Sequence, residues 1–241
     1  MTDFHISPEI FSAFPEVLIG VVAFGGVNSR GESAELMEML RREEDDAVRR
    51  LGSTAVSEHP HIAPWREAYR KFGAKPKDHP SSIENLLRRA TKGHRLAHIN
   101  RLVDLYNAVS LRYLVPVGGE DLDAVKGDIE LRFAGEAEPA VRLLGEPAEL
   151  ARSPKPGEVI YADAAGALCR RWNWKEADRT KLTEETARGF LVAEALPPVG
   201  RSMLEKALAD LAGLLTEHCG GSVRTMLLDR EEPSVELTIS S

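Results

Sequence analysis

VDLYNAVSLRYLVPVGGEDLD, residues 103–123, joins an amphipathic helix to an abrupt stop. Within the helical part, Asp104 and Asn107 lie three residues apart and therefore share one helix face. Pro116 cannot continue a helix, because it lacks a backbone N–H and its ring clashes with the preceding turn. Two glycines then lead into three acids within four residues. The stretch predicts a helix that ends before a turn-rich link, which we expect to run to residue 127.

In the first half of the chain, apolar residues recur at helical spacing. The segments begin and end with residues that favour helix ends: a serine cap before one, and a proline near the start and a glycine after another. The run of charges at residues 41–50 fits the solvated face of its helix. We predict helices over residues 33–51, 64–73, 81–93 and 98–114.

Strand patterns dominate the middle of the chain. Apolar runs bounded by glycine or proline predict strands over residues 128–134, 140–145, 157–163, 167–174 and 190–196. A long apolar stripe predicts a helix over residues 202–221, with strands at 223–229 and 234–240. An interrupted strand-forming segment opens the chain at residues 4–24. This order predicts an α+β fold, and we expect one domain over residues 1–241.

The composition is typical of a globular protein and argues against several functions. Apolar residues make up 43% of the 241 residues, charged residues 29%, and the net charge is −7. A chain with this charge is not a polycation, which argues against sequence-independent duplex binding but leaves room for a local basic face. The N-terminal acids do not fit a signal peptide, and the apolar run at residues 17–24 is too short to span a membrane. We expect a cytoplasmic protein with reduced thiols.

The sequence contains no motif of a nucleotide-binding loop, a zinc protease or a serine hydrolase. His94 and His98 lie four residues apart and could share a helix face, but zinc needs at least a third ligand. We therefore predict no metal and no cofactor. The histidines are expected at the surface or at helix ends.

A basic surface is predicted between residues 70 and 95, in contrast to the negative charge of the whole chain. Its cations could bind phosphate groups, or they could be ordinary solubilising charge. The candidates for nucleic-acid binding are Arg70, Lys71, Arg88, Arg89 and Lys92. The same span also contains Lys75, Lys77 and Arg95.

CRRWNWK, residues 169–175, places cationic and aromatic side chains next to each other. In a strand, Arg171, Asn173 and Lys175 would point one way and the two tryptophans the other way. Arginine and tryptophan stack on aromatic ligands, and arginine binds carboxylates and phosphates, although core packing of the tryptophans is the simpler alternative. Further polar groups come shortly before this stretch: Glu158, Tyr161 and Asp163.

Several segments occur in an order and spacing known from one family: YRKFGAKPKDHPSSIENLLRR, INRLVDLYNAVSLRYLVPVGGEDLD, GDIELRFA, GEVIYAD, CRRWNWKEAD and the T-x-x-T of TEET. Over residues 65–198 the chain resembles the stand-alone B3/B4 domain proteins, which are similar to the editing module of the phenylalanyl-tRNA synthetase beta subunit. The resemblance implies mixed, sandwich-like β-sheets flanked by helices. It also implies a partner, tRNA or aminoacyl-tRNA, and hydrolysis of a mischarged aminoacyl ester, as the synthetase module does with tyrosine.

The resemblance also places individual residues. Asp104 and Asn107 match a helix of the synthetase module, and Gly118 stands where that module has a histidine linked to editing. Asp121 keeps the acid of the same turn. Glu194 or, in the other register, Val192 falls at the glutamate that recognises the tyrosine hydroxyl. The CRRWNWK stretch replaces a glycine-rich loop of the module, so tyrosine is not the expected substrate.

The leading hypothesis is ester hydrolysis by an oriented water molecule. Asn107 and Ser110 would hold the carbonyl or the water, and Asp121 completes the candidate catalytic set. Arg171 and Asn173 would bind the terminal adenosine or the amino acid, and Glu158 or Asp163 the α-amino group. The full set of substrate-binding candidates is Gly118, Gly119, Glu158, Tyr161, Asp163, Arg171, Asn173 and Glu194.

Two other functions stay open. The chain could bind tRNA, a free amino acid or a related small molecule without catalysis. A structural or interaction protein is the third alternative, supported only by the apolar helix at residues 203–215, which core packing explains. We expect no membrane partner.

Overall fold

The computed structural model describes residues 2–239, which form two β-sheets and several helices. The strands are β1 (Asp3–Ile6), β2 (Leu18–Gly25), β3 (Val117–Asp121), β4 (Ile129–Phe133), β5 (Val159–Asp163), β6 (Gly166–Arg170), β7 (Lys175–Glu176), β8 (Arg188–Ala195), β9 (Ser222–Leu228) and β10 (Ser234–Glu236). The α-helices are α1 (Pro8–Ala13), α2 (Ala34–Leu51), α3 (Ala63–Lys71), α4 (Ser82–Thr91), α5 (Arg101–Tyr113) and α6 (Arg201–Cys219). Short 3-10 helices span Val56–Glu58 and Ala148–Leu150.

The two sheets share one large apolar core. The larger sheet has the strand order β10-β1-β4-β5-β6-β7, and the smaller has the order β3-β8-β2-β9. The larger sheet is mixed, because β1 pairs with β4 in parallel and with β10 antiparallel. In β8, Phe190 and Val192 join the core between the sheets, whereas Leu191 and Ala193 face the helices. A strand buried between two layers shows this alternation because its side chains have a period of two.

α5 and α6 cover the other face of the smaller sheet, whereas α1 and α3 pack into the core between the sheets. α6 packs against β2 at Gly20, where an added Cβ would lie 2.7 Å from Leu208 Cδ2, so the close contact requires glycine. α2, α4 and α5 form a further apolar cluster that includes Leu40, Ile83 and Leu111. The α+β class and the flanking of mixed sheets by helices are therefore confirmed.

The predicted helices are present, and polar side chains cap the beginnings of α2, α4 and α5. Asn100 accepts a hydrogen bond from the Val103 N–H at 3.0 Å, so the helix expected from residue 98 begins at Arg101. His98 lies before the helix, and its Nδ1 is 2.5 Å from Asp104 Oδ2. Asp104 thus secures the segment that enters α5. His94 and His98 do not share a helix face, as the zinc alternative would require.

The predicted turn-rich link at residues 117–127 is wrong in its first half. Val117–Asp121 forms β3, which pairs antiparallel with β8. An added Cβ on Gly119 would lie 2.6 Å from the Phe190 carbonyl oxygen, so glycine is required where β3 crosses β8. A Gly-Gly pair favours turns locally, but here pairing with a central strand outweighs that preference.

Other segments differ from their predictions in length or type. Residues 140–145 are not a strand and make only isolated bridges at Val141 and Leu143. The strand predicted over residues 167–174 ends at Arg170. The opening segment continues after β1 as α1, because a proline at the first helical position favours a helix start there. β10 covers only part of the predicted strand at 234–240, whose last residue lies outside the described range.

In the part of the chain that the structure describes, no helix has both the length and the apolar character needed to cross a membrane. Cys169 and Cys219 are buried free thiols rather than a disulfide. Burial raises the pKa of Cys219 to about 11 and that of Cys169 well above its ordinary value. Both thiols therefore stay protonated near neutral pH.

Candidate functional site

A cavity of about 290 Å³ lies between the two sheets, with α4 and α5 along its side. Most of its wall is apolar or aromatic: Leu86, Tyr106, Val117, Leu144, Trp172, Trp174, Phe190 and Val192. Polar groups face the same space: Ser82, Asn85, Arg89, Asn107, Glu120, Tyr161, Asn173, Lys175, Glu176 and Glu194. An apolar pocket with a few convergent polar groups is the usual form of a small-molecule site.

The regular spacing of two elements builds opposite walls of the cavity. In α4, Ser82, Leu86 and Arg89 recur at helical spacing and line one wall. In β8, Val192 and Glu194 are two residues apart, so both face the cavity. The sequence left open whether Val192 or Glu194 matches the glutamate of the synthetase module, and both residues lie in the same cavity wall.

Glu194 lies at the centre of a buried hydrogen-bond network. Its carboxylate accepts hydrogen bonds from the Tyr161 hydroxyl and from Asn173 Nδ2, and the Tyr69 hydroxyl donates to Asn173 Oδ1 at 2.8 Å. Only 2% of Glu194 is exposed. Burial raises its pKa to about 7, and the hydrogen bonds from Tyr161 and Asn173 oppose that shift. Each carboxylate oxygen of Glu194 already has a partner inside the protein.

Glu120 and Glu176 form a second acidic group at the cavity wall. Burial raises the pKa of Glu176 to about 7. Burial and the neighbouring charge of Glu176 raise the pKa of Glu120 well above its ordinary value. Two carboxyl groups so placed resist carrying two negative charges, so they titrate as a coupled pair. The pair is therefore partly protonated at neutral pH.

Gly118 leaves room for this acidic pair. A Cβ added at Gly118 would lie 3.1 Å from Glu176 Oε1. The position that the resemblance matches with a histidine of the synthetase module is thus next to a carboxylate in this chain. A larger side chain here would have to displace Glu176.

Several polar atoms at the cavity have no hydrogen-bond partner among residues 2–239. They are Ser82 Oγ, Glu120 Oε2 and Trp172 Nε1. An unpaired buried polar group costs free energy, so such atoms mark places where a ligand or water would gain hydrogen bonds. The cavity is therefore polar in specific places within an apolar wall.

Seven of the predicted site residues line this cavity: Arg89, Asn107, Gly118, Gly119, Tyr161, Asn173 and Glu194. Sequence analysis missed Glu120 and Glu176 as site residues. β3 supplies Glu120 and the short strand β7 supplies Glu176, so the pair exists only after the two sheets meet. If VGGED had been predicted as a strand, the alternation of its side chains would have placed Glu120 on the same face as Gly118. The prediction of a turn at these residues removed that indication.

The two other catalytic candidates have structural contacts outside the cavity. The buried Ser110 hydroxyl donates to the Val115 carbonyl at 2.6 Å and closes the end of α5. Asp121 accepts hydrogen bonds from Thr186 Oγ1 at 2.7 Å and from the Asp123 N–H at 2.9 Å. The Ser110 hydroxyl is thus used at the end of the helix. The structure therefore does not support a role for Ser110 in holding the ester carbonyl or the water. Asp121 fastens the end of β3.

Glu158 and Asp163 do not reach the cavity either. Arg170 binds Glu158 with two hydrogen bonds of 2.9 and 2.8 Å. Burial raises the pKa of Glu158, but the hydrogen bonds and charge of Arg170 outweigh it and lower the pKa overall. Asp163 accepts from the Lys126 N–H at 2.7 Å and is paired with Arg179. Neither acid lines this cavity, and the predicted contact with an α-amino group stays a prediction.

The predicted alternation within CRRWNWK is wrong because the strand ends in a left-handed turn. Arg171 has φ +49° and Trp172 has φ +66°. Trp172 is fully buried and packs against Trp65, with ring centroids 5.1 Å apart. Arg171 turns away from the cavity and lies over the Trp174 ring, 4.5 Å from its centroid. Trp172 thus belongs to the core and borders the cavity from there, whereas the partly exposed Trp174 lies in the cavity wall.

The predicted basic surface is divided between structural and free cations. Arg88 pairs with the buried Glu84 at 2.6 Å, and Lys71 binds the Ala13 carbonyl. The remaining candidates are exposed and have no ion pair within the described range: Arg70, Arg89 and Lys92. Arg89 also lines the cavity. Across residues 2–239, no group of three or more His, Cys, Asp or Glu side chains could hold a metal ion.

Comparison with known proteins gives one family match. The family model described as the B3/4 domain matches residues 64–220, which contain every residue of the cavity wall. Among solved structures, the chain is similar to an N-terminal fragment of the phenylalanyl-tRNA synthetase beta subunit from Pyrococcus horikoshii, with 14% identity and a TM-score of 0.47. The similarity covers 92% of this chain and 50% of that fragment, so the chain spans half its length. No curated protein matches the chain.

Proposed function

This chain belongs to the B3/4 domain family, and from that premise we propose that its cavity binds the aminoacyl group of a charged tRNA and hydrolyses the ester. The observation that carries the proposal is the coupled pair of acids, Glu120 and Glu176, in the wall of a cavity that is lined mostly by apolar and aromatic side chains. The sequence motifs that resemble the synthetase editing module support the choice of tRNA. Arg89 at the same cavity offers a free positive charge to an RNA phosphate.

The size of the cavity favours a single aminoacyl group over a whole nucleotide. Its volume of about 290 Å³ is at the lower end of ligand sites. An aminoacyl ester brings a positive α-ammonium group, a carbonyl and one side chain. The ammonium group would replace the proton held by Glu120, whose Oε2 has no hydrogen-bond partner in the described structure. Tyr106, Trp174 and Phe190 would enclose the side chain.

Glu176 is suited to act as the general base. A carboxylate with a pKa of about 7 can take a proton from water at neutral pH and return it later in the reaction. The water oxygen forms a bond to the ester carbonyl carbon, and the ester bond to the ribose oxygen breaks. Glu176 accepts the water proton, which then passes to the departing ribose oxygen. The Asn107 amide would donate a hydrogen bond to the carbonyl oxygen as negative charge develops there.

Glu194 takes no part in selecting a tyrosine side chain in this proposal. The hydroxyl bound to its carboxylate is that of Tyr161, and Asn173 binds the other oxygen. A tyrosine ligand would have to displace one of these buried partners. We therefore expect specificity to come from the shape of the apolar wall.

A deacylation assay tests the proposal directly. Wild-type protein and an Asn107→Ala variant would be incubated with a panel of mischarged tRNAs, and released amino acid would be measured over time. We expect accelerated release from at least one substrate and slower release by the variant. Release at the buffer rate for every substrate would refute hydrolysis.

Binding without hydrolysis is the second candidate function. One observation favours it: among the described residues, no histidine lines the cavity. No serine or cysteine there is therefore paired with a histidine base. The test is titration with a non-hydrolysable aminoacyl-adenosine amide. Saturable binding together with no deacylation of any substrate would favour this function over hydrolysis.

A further inference from the structure

We propose that a recess next to the cavity binds a phosphate group of the same ligand; this inference rests on the proposed function. The recess has a volume of about 240 Å³, and its positively charged or protonatable lining residues are Lys75, His79, Lys155 and Arg171. Lys75 and His79 come from the loop between α3 and α4, whereas Lys155 and Arg171 flank β5 and β6. The chain therefore brings cations from separate segments to one place.

Arg171 provides the strongest indication of a ligand. It is only 8% exposed, and its Nη1 has no hydrogen-bond partner among the described residues. The nearest acid is Glu158, whose Oε2 is 4.0 Å from Arg171 Nε. Both Glu158 oxygens already accept hydrogen bonds from Arg170. A buried guanidinium with an unused donor needs an acceptor, and a phosphate oxygen is suited to this role.

The other lining residues add to the positive charge. Lys75 and Lys155 are exposed and have no ion pair in the described part of the chain. His79 Nδ1 is buried without a hydrogen-bond partner. One acid of the recess, Asp78, offsets part of this charge, and Glu158 is neutralised by Arg170. The remaining balance favours an anion.

Trp174 connects the recess to the cavity. Its ring lines the cavity and packs against the apolar core, and two residues of the recess lie against it. The Arg171 guanidinium lies 4.5 Å from the ring centroid, and the His79 ring centroid is also 4.5 Å away. One side chain thus lines the cavity and contacts two residues of the recess. A ligand with an aminoacyl group in the cavity could place a phosphate in the recess, as the 3′ end of an RNA strand would.

The test measures binding of a fluorescent 12-nucleotide RNA with a tRNA 3′ sequence, by anisotropy at several salt concentrations. The Lys75→Gln/Lys155→Gln double variant changes exposed residues and should leave the fold intact. Arg171→Gln removes the buried charge. Lys77→Gln is the matched control, because Lys77 is exposed on the same loop but does not line the recess.

We expect the double variant and Arg171→Gln each to bind the RNA about tenfold more weakly than the control, with a salt dependence reduced by about one unit of slope. Equal affinity of the double variant and the control, or no binding of RNA or phosphate by wild type, would overturn the inference. Competition by adenosine monophosphate and by inorganic phosphate identifies the source of the phosphate. If either compound competes with the RNA for wild type but not for the double variant, the recess binds a free anion. If neither competes and the double variant only loses RNA binding, the recess binds an RNA phosphodiester. Both outcomes support the site.

A second titration separates this inference from the proposed function. An amino-acid amide carries an ammonium group but no phosphate, so its affinity should be the same in the double variant as in wild type. If RNA binding depends on the recess while no amide binds the cavity, the recess stands and the proposed function fails. If the amide binds but the recess variants bind RNA normally, only the recess fails.

Discussion

The cavity and the recess lie on either side of Trp174, yet their charges are opposite. The cavity contains Glu120, Glu176 and Glu194, whose pKa values burial raises. The recess contains Arg171, whose pKa burial lowers, and two exposed lysines. In both places burial disfavours the charged form, so both gain most from a ligand of opposite charge. If both proposals hold, Trp174 lies between the places that receive the two ends of one ligand.

The largest effect should come from the acidic side of the comparison. Removing the proposed general base with Glu176→Gln should slow deacylation by about 100-fold or more, because general-base catalysis contributes on that order. The measurement is the single-turnover rate with the best substrate of the panel. Glu67→Gln, on the exposed face of α3, is the matched control and should react like wild type. A Glu176→Gln rate within threefold of this control would exclude the base role.

Stability should depend on pH through Glu194. Because its pKa is raised from 4.5 to about 7, its contribution to stability is present below pH 4.5 and is lost as the pH rises through 7. Between these limits the free energy of unfolding of wild type should fall by on the order of 3 kcal/mol, and that of Glu194→Gln should not show this fall. Urea unfolding across this pH range measures the difference, with Glu67→Gln as control. Parallel stability curves for wild type and Glu194→Gln would contradict the raised pKa.

The affinity of the cavity for a positively charged ligand should also depend on pH. It should rise with pH, because the acids of the cavity become ionised. An ammonium group binds the ionised acids, and the pKa of Glu176 is about 7, so affinity for an amino-acid amide should rise about tenfold from pH 5.5 to 7. The amide keeps its charge in this range. Calorimetric titration measures the affinity, and the N-acetylated amide is the control without charge. Equal binding of both compounds would show that the acids do not recognise the ammonium group.

The smallest effect should come from Gly118. Its Ala variant would place Cβ 3.1 Å from Glu176 Oε1, so the carboxylate must shift by a few tenths of an ångström. We expect deacylation to slow by roughly threefold, because small misplacement of a catalytic group lowers the rate. Gly213→Ala is the control, since its Cβ would meet nothing within 4 Å. An unchanged rate for Gly118→Ala would mean that the position of Glu176 tolerates this contact.

The helices could be predicted because their signals are local. Ser81 caps α4 by accepting the Glu84 N–H, and the apolar stripe of α6 packs on the smaller sheet. β3 could not be predicted in the same way, because Gly119 is required by contact with β8 rather than by a turn. Local preference and tertiary pairing conflict there, and pairing decides.

The candidate site was partly predictable for the same reason. Asn107 and Glu194 could be placed from the spacing of α5 and β8 and from the family resemblance, and both line the cavity. Glu176 could not be placed, because β7 has only two residues and its position depends on the turn before it. The destination of Arg171 depended on two φ angles that no local rule for arginine or tryptophan predicts.

That left-handed turn places stability and function in conflict at Arg171. Non-glycine residues in this conformation cost about 1–3 kcal/mol each, so glycine at position 171 would relieve backbone strain. The same change would remove the guanidinium that covers Trp174 and faces the recess. A protein selected only for thermal stability would be expected to lose this arginine. The stability that Arg171 costs in this turn is therefore separate from the contact that its guanidinium makes with Trp174.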